Sequence, residues 1–448
     1  MKILYVVHQF FPRHITGTET YTSDLAVEMK ERGNDVEVLC YEHSTFDGIP
    51  ARGIVRDTYR GIEVTRFCYD SRKWKEPALY EYSNPIFGEM ARDFLAKFNP
   101  DIVHFTHNSL LSTSVLDAVK ARDIPTMLSL TDFWYLCPRM QLVRNDGTQC
   151  EGPGEELRCL DCHYLANGSD ITAPLRRLLP TRLRKKAEKI REAIRKKIIL
   201  AFAGKDRFIR AVVERPKVLK QKMELFDVVI APTIYLRDVF LGAGYEKEQF
   251  RLMRFGINKS LCEQRRGAAP GNMRLGFIGT LSPHKGAHIV IDALKAVQHE
   301  GVDLVVYGDE KQFPDYAKEL RKSAEGEPRI KFCGTFARED IGKVLAEIDV
   351  LVIPSLWHEN SPLILLFALA CRVPVIASDS GGLRELIQDG VNGLLFERGD
   401  TDMLAKHIKT LADDNALLEK LRSAPVSVKS IKEHSDEIES IYHELLSG

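Results

Sequence analysis

Two charged residues lie where strand-like patterns give way to helix-like patterns in the second half of the chain. Lys285 follows an apolar run at residues 273–279 and precedes a helical pattern that starts near Ala287. An ammonium group beside the free N–H donors of a helix start favours an anion such as a diphosphate. A solvated lysine in a surface turn is the alternative, and this fragment alone leaves both open.

Glu359 and Asn360 lie at the next such junction, just before Pro362, a residue favoured at helix starts. A lone glutamate at this position is more often a helix-dipole or capping partner than a ligand-binding group. A third junction at residues 378–382 ends in a glycine pair. Open α/β sheets bind ligands at the carboxyl ends of their strands, and all three junctions fall there.

Four cysteines follow the pattern C-x12-C-x8-C-x2-C in a loop rich in glycine and proline. They are Cys137, Cys150, Cys159 and Cys162. The final C-x2-C pair with two further thiols suits a tetrahedral structural Zn²⁺, for which His163 is a possible substitute ligand. A disulfide or free thiols would be the alternative. We expect zinc, because the start of the sequence carries no export signal and indicates a reducing, cytoplasmic location.

A strongly basic segment comes next. Eleven lysines and arginines against two glutamates, from Arg176 to Lys197, give residues 176–197 a net charge of +9. Apolar residues recur within it at helical spacing, which predicts a basic amphipathic helix that binds an anionic membrane surface. A helix packed on the protein with a solvated charged face is the alternative. Nucleic acid is a less favoured partner, because the segment has no aromatic residues for base stacking.

The elements that would position these groups alternate between strand and helix patterns along all 448 residues. This alternation predicts an α/β protein with two Rossmann-like, doubly wound parallel sheets that face each other across a cleft. The expected domains are residues 1–262, with an insertion at about 137–222, and residues 272–430. A polar linker separates them, and a C-terminal helix at 431–448 is expected to return to the first domain.

Composition excludes several classes of protein. The chain has 63 Lys and Arg against 63 Asp and Glu, is 44% hydrophobic, and has no apolar run near the 20 residues of a membrane-spanning helix. Neither half carries G-x-G-x-x-G after its first strand, and no G-x-x-x-x-G-K-[ST] is present, which argues against a nicotinamide, flavin or P-loop site. We therefore expect a cytoplasmic protein peripheral to the inner face of the membrane.

Ordered motifs in both halves resemble the GT4 family of retaining GT-B glycosyltransferases. The second half contains IGTLSPHKG, PSLWHENSPLILLFALACRVPVIASDSGGLREL and DGVNGLLFERGD, and the first contains HQFFPRHITGTETYTSDLAVEMKERGNDVEV, NPDIVHFTH, IPTMLSLTDFWYLCPR and FDVVIAPTIYLRDVF. The likeness covers nearly the whole chain except roughly residues 161–225. It implies sugar transfer from a UDP- or GDP-sugar to a lipid-linked or growing polysaccharide acceptor.

The resemblance also implies roles for individual residues. Lys285 would bind the diphosphate, and Glu359 would hydrogen-bond hydroxyls of the donor sugar. His107 and Asp132, both in the first half of the chain, would be catalytic residues. The remaining implied donor-binding residues are Gly17, Thr18, Thr280, Asn360, Ser361, Pro362 and Leu363. No catalytic metal is expected, and Asp400 in the metal-like sequence Asp-Thr-Asp is interpreted as a helix cap.

Three positions depart from the family pattern. Phe367 replaces the second glutamate of E-x7-E, Thr280 replaces the arginine of a Gly-Arg pair, and Thr131 replaces the histidine before Asp132. Losing a charge-assisted contact of about 1.5–3 kcal/mol would weaken donor binding by one or two decades. A nucleotide-sugar-binding protein with little or no transferase activity is therefore the alternative function.

Overall fold

The structure is a computed structural model of the chain. It describes residues 1–46, 48–144, 147–152, 159, 160, 162, 206–262 and 272–447. The basic segment 176–197, His163 and nearly all of the predicted linker lie outside these residues. The chain forms two compact units. The first comprises Met1–Ile230, Asp238–Arg251 and Tyr442–Gly448, and the second comprises Ala231–Arg237 and Leu252–Ile441.

The described part of the first unit contains one sheet of eight strands. These are β1 (Lys2–Val6), β2 (Asp35–His43), β3 (Arg52–Tyr59), β4 (Ile62–Tyr69), β5 (Ile102–Phe105), β6 (Thr126–Ser129), β7 (Val228–Ala231) and β8 (Phe250–Leu252). Their order is β3-β4-β2-β1-β5-β6-β7-β8. The pairs from β4 through β7 are parallel, whereas β3 is antiparallel to β4. The order reverses between β1 and β5, so this sheet has its switch point there.

Burial explains which runs form the central strands. Every residue of β5 is buried, as are Ile3 to Val6 of β1, because parallel strands are covered on both faces. The helices of this unit are α1 (Gly17–Glu31), α2 (Pro77–Tyr80), α3 (Pro85–Phe98), α4 (Ser114–Lys120) and α5 (Arg207–Met223), with α6 (Ile234–Gly242) beginning in the second unit. Asn84 caps α3 by accepting the Ile86 N–H at 3.1 Å.

The described part of the second unit contains a parallel six-stranded sheet in the order β12-β11-β10-β13-β14-β15. Its strands are β10 (Met273–Ile278), β11 (Val302–Tyr307), β12 (Ile330–Gly334), β13 (Val350–Ile353), β14 (Val375–Ser378) and β15 (Gly393–Phe396), and a separate parallel pair joins β9 (Gly256–Ile257) to β16 (Lys429–Ser430). The switch point lies between β10 and β13. The prediction of two doubly wound parallel-sheet domains is confirmed.

Helices follow most strands of the second unit. They are α7 (Ala287–Ala296), α8 (Pro314–Ser323), α9 (Ile341–Ala346), α10 (Leu363–Ala370), α11 (Leu383–Leu386), α12 (Thr401–Asp413), α13 (Asn415–Ser423) and α14 (Ile431–Ser447). Asp400 accepts the Met403 N–H at 2.8 Å and caps α12, as predicted. No helix in the described ranges is long and apolar enough to cross a membrane.

The end of α14 belongs to the first unit. The Tyr442 hydroxyl lies 2.6 Å from His104 Nδ1 and donates to the Tyr5 hydroxyl at 3.1 Å. His104 Nε2 lies 2.8 Å from Ser129 Oγ. His104 is thus a core histidine whose two ring nitrogens both contact hydroxyl groups.

Candidate functional site

Three adjacent strands of the second unit end at one edge of its sheet. These strands, β10, β13 and β14, lead into loops at residues 279–286, 354–362 and 379–382. The first two loops are joined by the Leu356 N–H, which donates to the His284 carbonyl at 2.8 Å. The predicted junctions therefore lie side by side at the switch point, where open α/β sheets bind ligands.

A lysine and a glutamate pair at this edge. Lys285 ends a short 3₁₀ turn, Pro283–Lys285, and its Nζ donates to Glu359 Oε1 at 2.7 Å. Ser355 Oγ donates to the same oxygen at 2.7 Å. The lysine Nζ also lies 4.8 Å from the centroid of the Trp357 ring, within cation–π range. Lys285 is thereby held over a carboxylate and an aromatic face, with a quarter of its side chain exposed.

The environment of Glu359 keeps it charged. Its side chain is 5% exposed, and burial alone would raise the pKa of its carboxyl group. The Lys285 ammonium and the Ser355 hydroxyl outweigh burial and hold the pKa of Glu359 below its ordinary value. The pair is a fixed anion and cation in which the lysine faces outward, available to a ligand of higher negative charge.

The glycine pair after β14 locks the Glu359 loop in place. The Gly382 N–H donates to the Glu359 carbonyl at 2.7 Å. A Cβ atom on Gly382 would lie 1.6 Å from the Asn360 carbonyl oxygen, and one on Gly381, whose φ is +49°, would lie 2.5 Å from the Glu359 carbonyl oxygen. Thr233 Oγ1 donates to Asn360 Oδ1 at 2.8 Å from the other side. Glu359 and Asn360 are therefore positioned by backbone contacts that only glycine permits.

The other predicted residues of the second unit lie around this pair. Ser361 and Pro362 immediately precede α10, and Leu363 is its first residue, so their backbone groups lie at the positive end of that helix. Thr280 lies in the loop after β10. Phe367 is 4% exposed within α10, which confirms that an apolar ring is buried where the motif has a carboxylate.

The first unit has its own polar cluster at its switch point. His107 follows β5, and Asp132 follows β6. His107 Nε2 lies 2.8 Å from Asp132 Oδ2. The Ser109 N–H donates to His107 Nδ1 at 3.0 Å, so the proton of the neutral ring is on Nε2 and points to Asp132. Both ring nitrogens are occupied. The group left to meet a ligand is the Asp132 carboxylate, which is 17% exposed.

Asp132 is oriented from two sides. Its Oδ1 accepts the Trp134 N–H at 2.8 Å, while Oδ2 accepts from His107. The two residues line a small pocket that also includes Thr106, Asn108, Trp134 and Tyr135. The structure thus brings His107 and Asp132, both predicted as catalytic residues, into direct contact, and the geometry assigns the imidazole to positioning the carboxylate.

Two members of this cluster were missed from the sequence. His8, directly after β1, has its ring centroid 4.4 Å from that of His107, and its Nε2 lies 3.2 Å from Glu19 Oε1. Burial lowers the pKa of His8 to about 4, so the ring is neutral at physiological pH. The sequence feature that could have identified His8 is its position two residues after a central strand, as for His107. The second missed residue is Glu19, which is buried in the first turn of α1. The predicted donor-binding residues Gly17 and Thr18 directly precede it at the start of this helix.

The four loop cysteines are all described, and all are present as thiols. Cys137 is buried, and the other three are partly exposed. Burial, together with the neighbouring thiols of Cys137, Cys150 and Cys162, raises the pKa of the Cys159 thiol to about 12. No group of three His, Cys, Asp or Glu side chains in the described ranges is already arranged around a metal position.

Comparison with protein families gives two matches along the chain. Residues 263–425 match the model of Glycosyl transferases group 1, and residues 15–145 match that of Glycosyltransferase Family 4. The matched stretches, 163 and 131 residues long, make up 294 of the 448 residues. The order of the two matches agrees with the order of the two units.

Individual relatives are similar over part of their length. The amylovoran biosynthesis glycosyltransferase AmsK of Erwinia amylovora is 27% identical over 51% of this chain and 59% of its own. The phosphatidyl-myo-inositol mannosyltransferase of Mycobacterium leprae is 33% identical over 34% of this chain and 42% of its own. The chain thus spans about half the length of these curated relatives.

A solved structure is similar over the whole chain. Anabaena HepE in complex with UDP and glucose is 19% identical, covers 100% of this chain with 98% of its own, and superposes with a TM-score of 0.63. At this identity the similarity establishes the fold, two Rossmann-like domains of the GT-B type.

Proposed function

Because the chain belongs to the GT4 family of GT-B glycosyltransferases, we propose that it transfers a sugar from a nucleotide-sugar to an acceptor hydroxyl with retention of anomeric configuration. The observation that carries this proposal is the Lys285–Glu359 pair, 2.7 Å apart at the switch point of the second unit. The pair supplies a cation for a diphosphate and, next to it, a buried carboxylate for sugar hydroxyls.

The chemistry follows from where charge develops. As the glycosidic bond breaks, negative charge grows on the leaving diphosphate, and a positioned cation lowers the barrier by stabilising that charge. Lys285 would turn from Glu359 toward the diphosphate, assisted by the backbone N–H groups at the start of α10. Glu359 would then accept hydrogen bonds from the sugar. No protein nucleophile is assigned, and the departing diphosphate would help to remove the acceptor proton.

The donor in this proposal is a UDP- or GDP-sugar. Support for a nucleotide of this class comes from HepE, which was solved with UDP. Phe367, buried in α10, provides no carboxylate for the ribose hydroxyls. We therefore expect donor binding one or two decades weaker than in a protein with a glutamate at this position.

The acceptor in this proposal is a lipid-linked or growing polysaccharide at the cytoplasmic face of the membrane. Two relatives support this class through their names, one in amylovoran biosynthesis and one as a phosphatidyl-myo-inositol mannosyltransferase. The charge of residues 176–197 provides independent support, since each basic residue near an anionic surface contributes about 1 kcal/mol of binding.

The membrane proposal predicts that the protein sediments with anionic liposomes at low salt. Replacing Lys185 and Lys186 by glutamine should weaken binding about 30-fold, because two contributions of about 1 kcal/mol are lost. Replacing Lys406 and Lys409, two exposed lysines of α12, by glutamine is the matched control and should change little. Equal binding of the wild-type protein to neutral liposomes would contradict the proposal.

Asp132 is proposed as the group of the first unit that contacts the reacting sugars. Asp132→Asn removes the charge and keeps an acceptor for the Trp134 N–H, while its amide nitrogen replaces the oxygen that accepts from His107 Nε2. We expect kcat/KM to fall about 100-fold, typical of the lower range for acid–base groups, and the melting temperature to fall slightly because one hydrogen bond is lost. His107→Gln should cause a smaller loss. If His107→Gln were the more damaging change, the imidazole would be the acting group.

The proposal is tested by turnover of a panel of UDP- and GDP-sugars, with and without saccharide acceptors. We expect at least one donor to be consumed with release of the nucleoside diphosphate, and Glu359→Ala to abolish this turnover. The alternative is a protein that binds nucleotide-sugars without transferring them, which the departures at Phe367, Thr280 and Thr131 make plausible. Binding of a donor without turnover under any condition would favour that alternative.

A further inference from the structure

The loop that carries Asp132 continues into the cysteine pattern. Five residues after Asp132 comes Cys137, and a hairpin then reverses the chain. In this hairpin Val143 pairs with Gln149, and the Arg144 N–H donates to the Thr148 carbonyl at 2.8 Å. The Cys150 N–H donates to the Leu142 carbonyl at 2.8 Å, which brings the second cysteine back toward the first.

The C-x2-C pair is anchored to the same region. Leu160, between Cys159 and Cys162, is 2% exposed in a small apolar cluster with Ala78, Ala211 and Val212, and Cys159 packs against this cluster. Ala211 and Val212 belong to α5. The pair is therefore held against α5 in the first unit, and the thiols of Cys137, Cys150 and Cys162 all act electrostatically on that of Cys159.

A buried arginine of α5 lies beside these thiols with an unused donor. Arg215 is 2% exposed; it donates to Glu81 Oε2 at 2.7 Å through Nε and to the Trp134 carbonyl at 2.7 Å through Nη2. Its Nη1 is buried and has no hydrogen-bond partner among the described residues. Cys137 and Cys159 are among the groups that act electrostatically on this guanidinium. A buried N–H donor without an acceptor is costly, so an acceptor is expected there.

We propose that Cys137, Cys150, Cys159 and Cys162 bind one structural Zn²⁺ ion, and that Arg215 Nη1 donates a hydrogen bond to a coordinated thiolate. Four thiolates around Zn²⁺ carry a net charge of −2, which the neighbouring guanidinium partly offsets. Binding would release the four thiol protons, and the thiols would have to move together, since the described side chains are not arranged around a metal position. The ion would tie the loop of Asp132 and Trp134 to α5. The site stands independently of the proposed transferase activity.

The first test is the metal content of the full chain purified without added zinc. We expect about one equivalent of Zn²⁺ per chain, released by a thiol-reactive mercurial, and nine titratable thiols after denaturation in a chelator. Less than about a tenth of an equivalent of any metal would overturn the proposal. A disulfide mapped between any two of Cys137, Cys150, Cys159 and Cys162 in the unreduced protein would do so as well.

Variants separate the ligands from other thiols. Cys150→Ser and Cys159→Ser should each lower the zinc content, whereas Cys333→Ser, on β12 of the second unit, should leave it at one equivalent. Cobalt bound in place of zinc should show the absorption of a tetrahedral four-sulfur site in the wild-type protein. If Cys333→Ser lost zinc as readily as Cys150→Ser, the assignment of ligands would be wrong.

The role of Arg215 is tested by the rate of zinc release to a chelator. Arg215→Met should release zinc at least about 10-fold faster than wild type, because outer-shell partners typically change metal affinity 10–100-fold. Glu81→Gln weakens the other side of the same guanidinium and is the matched control for general loss of packing. Equal acceleration by both variants would show that Arg215 acts on folding alone, and would overturn its role at the metal.

Discussion

Lys285→Ala is expected to lower kcat/KM by about 100- to 1,000-fold, the usual cost of removing one positioned group that stabilises charge in a transition state. Lys285 Nζ lies 2.7 Å from the buried Glu359 carboxylate, so the variant should also melt at a lower temperature. The measurement is steady-state kinetics with the best donor of the panel, together with thermal unfolding of the same preparations.

Two further variants separate catalysis from stability. In Lys285→Ala/Glu359→Gln a neutral amide replaces the buried carboxylate, so we expect stability to recover and activity to stay low. Lys409→Ala removes a lysine that pairs with Asp413 at 2.8 Å on the exposed face of α12, and both properties should be unchanged. If the double variant regained activity together with stability, Lys285 would have only a structural role.

Gly382→Ala is expected to destabilise the second unit by about 3 kcal/mol, at the upper end for overpacking. The backbone of Gly382 is helical, with φ −70° and ψ −13°, so alanine itself is allowed there. The cost arises because its Cβ would lie 1.6 Å from the Asn360 carbonyl oxygen. Moving that loop shifts Glu359, and a displacement of about 1 Å is enough to reduce turnover about 100-fold.

The control for this prediction is Gly242→Ala at the end of α6, where a Cβ would meet no atom within 4 Å. Its melting temperature and turnover should match those of the wild type, whereas Gly382→Ala should melt about 6–12 °C lower. A Gly382→Ala protein that kept both properties would show that the loops after β13 and β14 can separate without consequence for Glu359.

The order of elements could be predicted from the sequence because parallel strands buried on both faces are continuous apolar runs. The apolar runs at residues 228–231 and 350–353 coincide with β7 and β13. Most other such runs differ from a strand by one or two residues, although β2 extends four residues beyond its run at 35–39, to His43. Five strands were missed, namely β3, β8, β9, β15 and β16. In β3, an antiparallel edge strand, exposed and half-buried residues alternate and several side chains are charged. β15 is a short run among glycine and asparagine residues.

The site could be predicted only in part. Lys285 and Glu359 are 74 residues apart, yet their places after adjacent parallel strands brought them to one edge. Their direct contact, and the approach of Gly382 to Asn360, depend on loop geometry that no periodicity encodes. The sequence likewise does not show that both ring nitrogens of His107 have hydrogen-bond partners, because one of the partners is the backbone N–H of Ser109. His8 was missed because a histidine after a strand is common in protein interiors.

Diphosphate binding at Lys285 is tested most directly by the melting temperature of the protein with nucleoside diphosphates at increasing concentration. We expect UDP or GDP to stabilise the protein in proportion to the logarithm of its concentration above the dissociation constant, and the matching nucleoside without phosphates not to do so. Lys285→Ala should abolish most of this stabilisation. No stabilisation by any nucleoside diphosphate, or equal stabilisation of the wild type and Lys285→Ala, would show that Lys285 is not the diphosphate-binding cation.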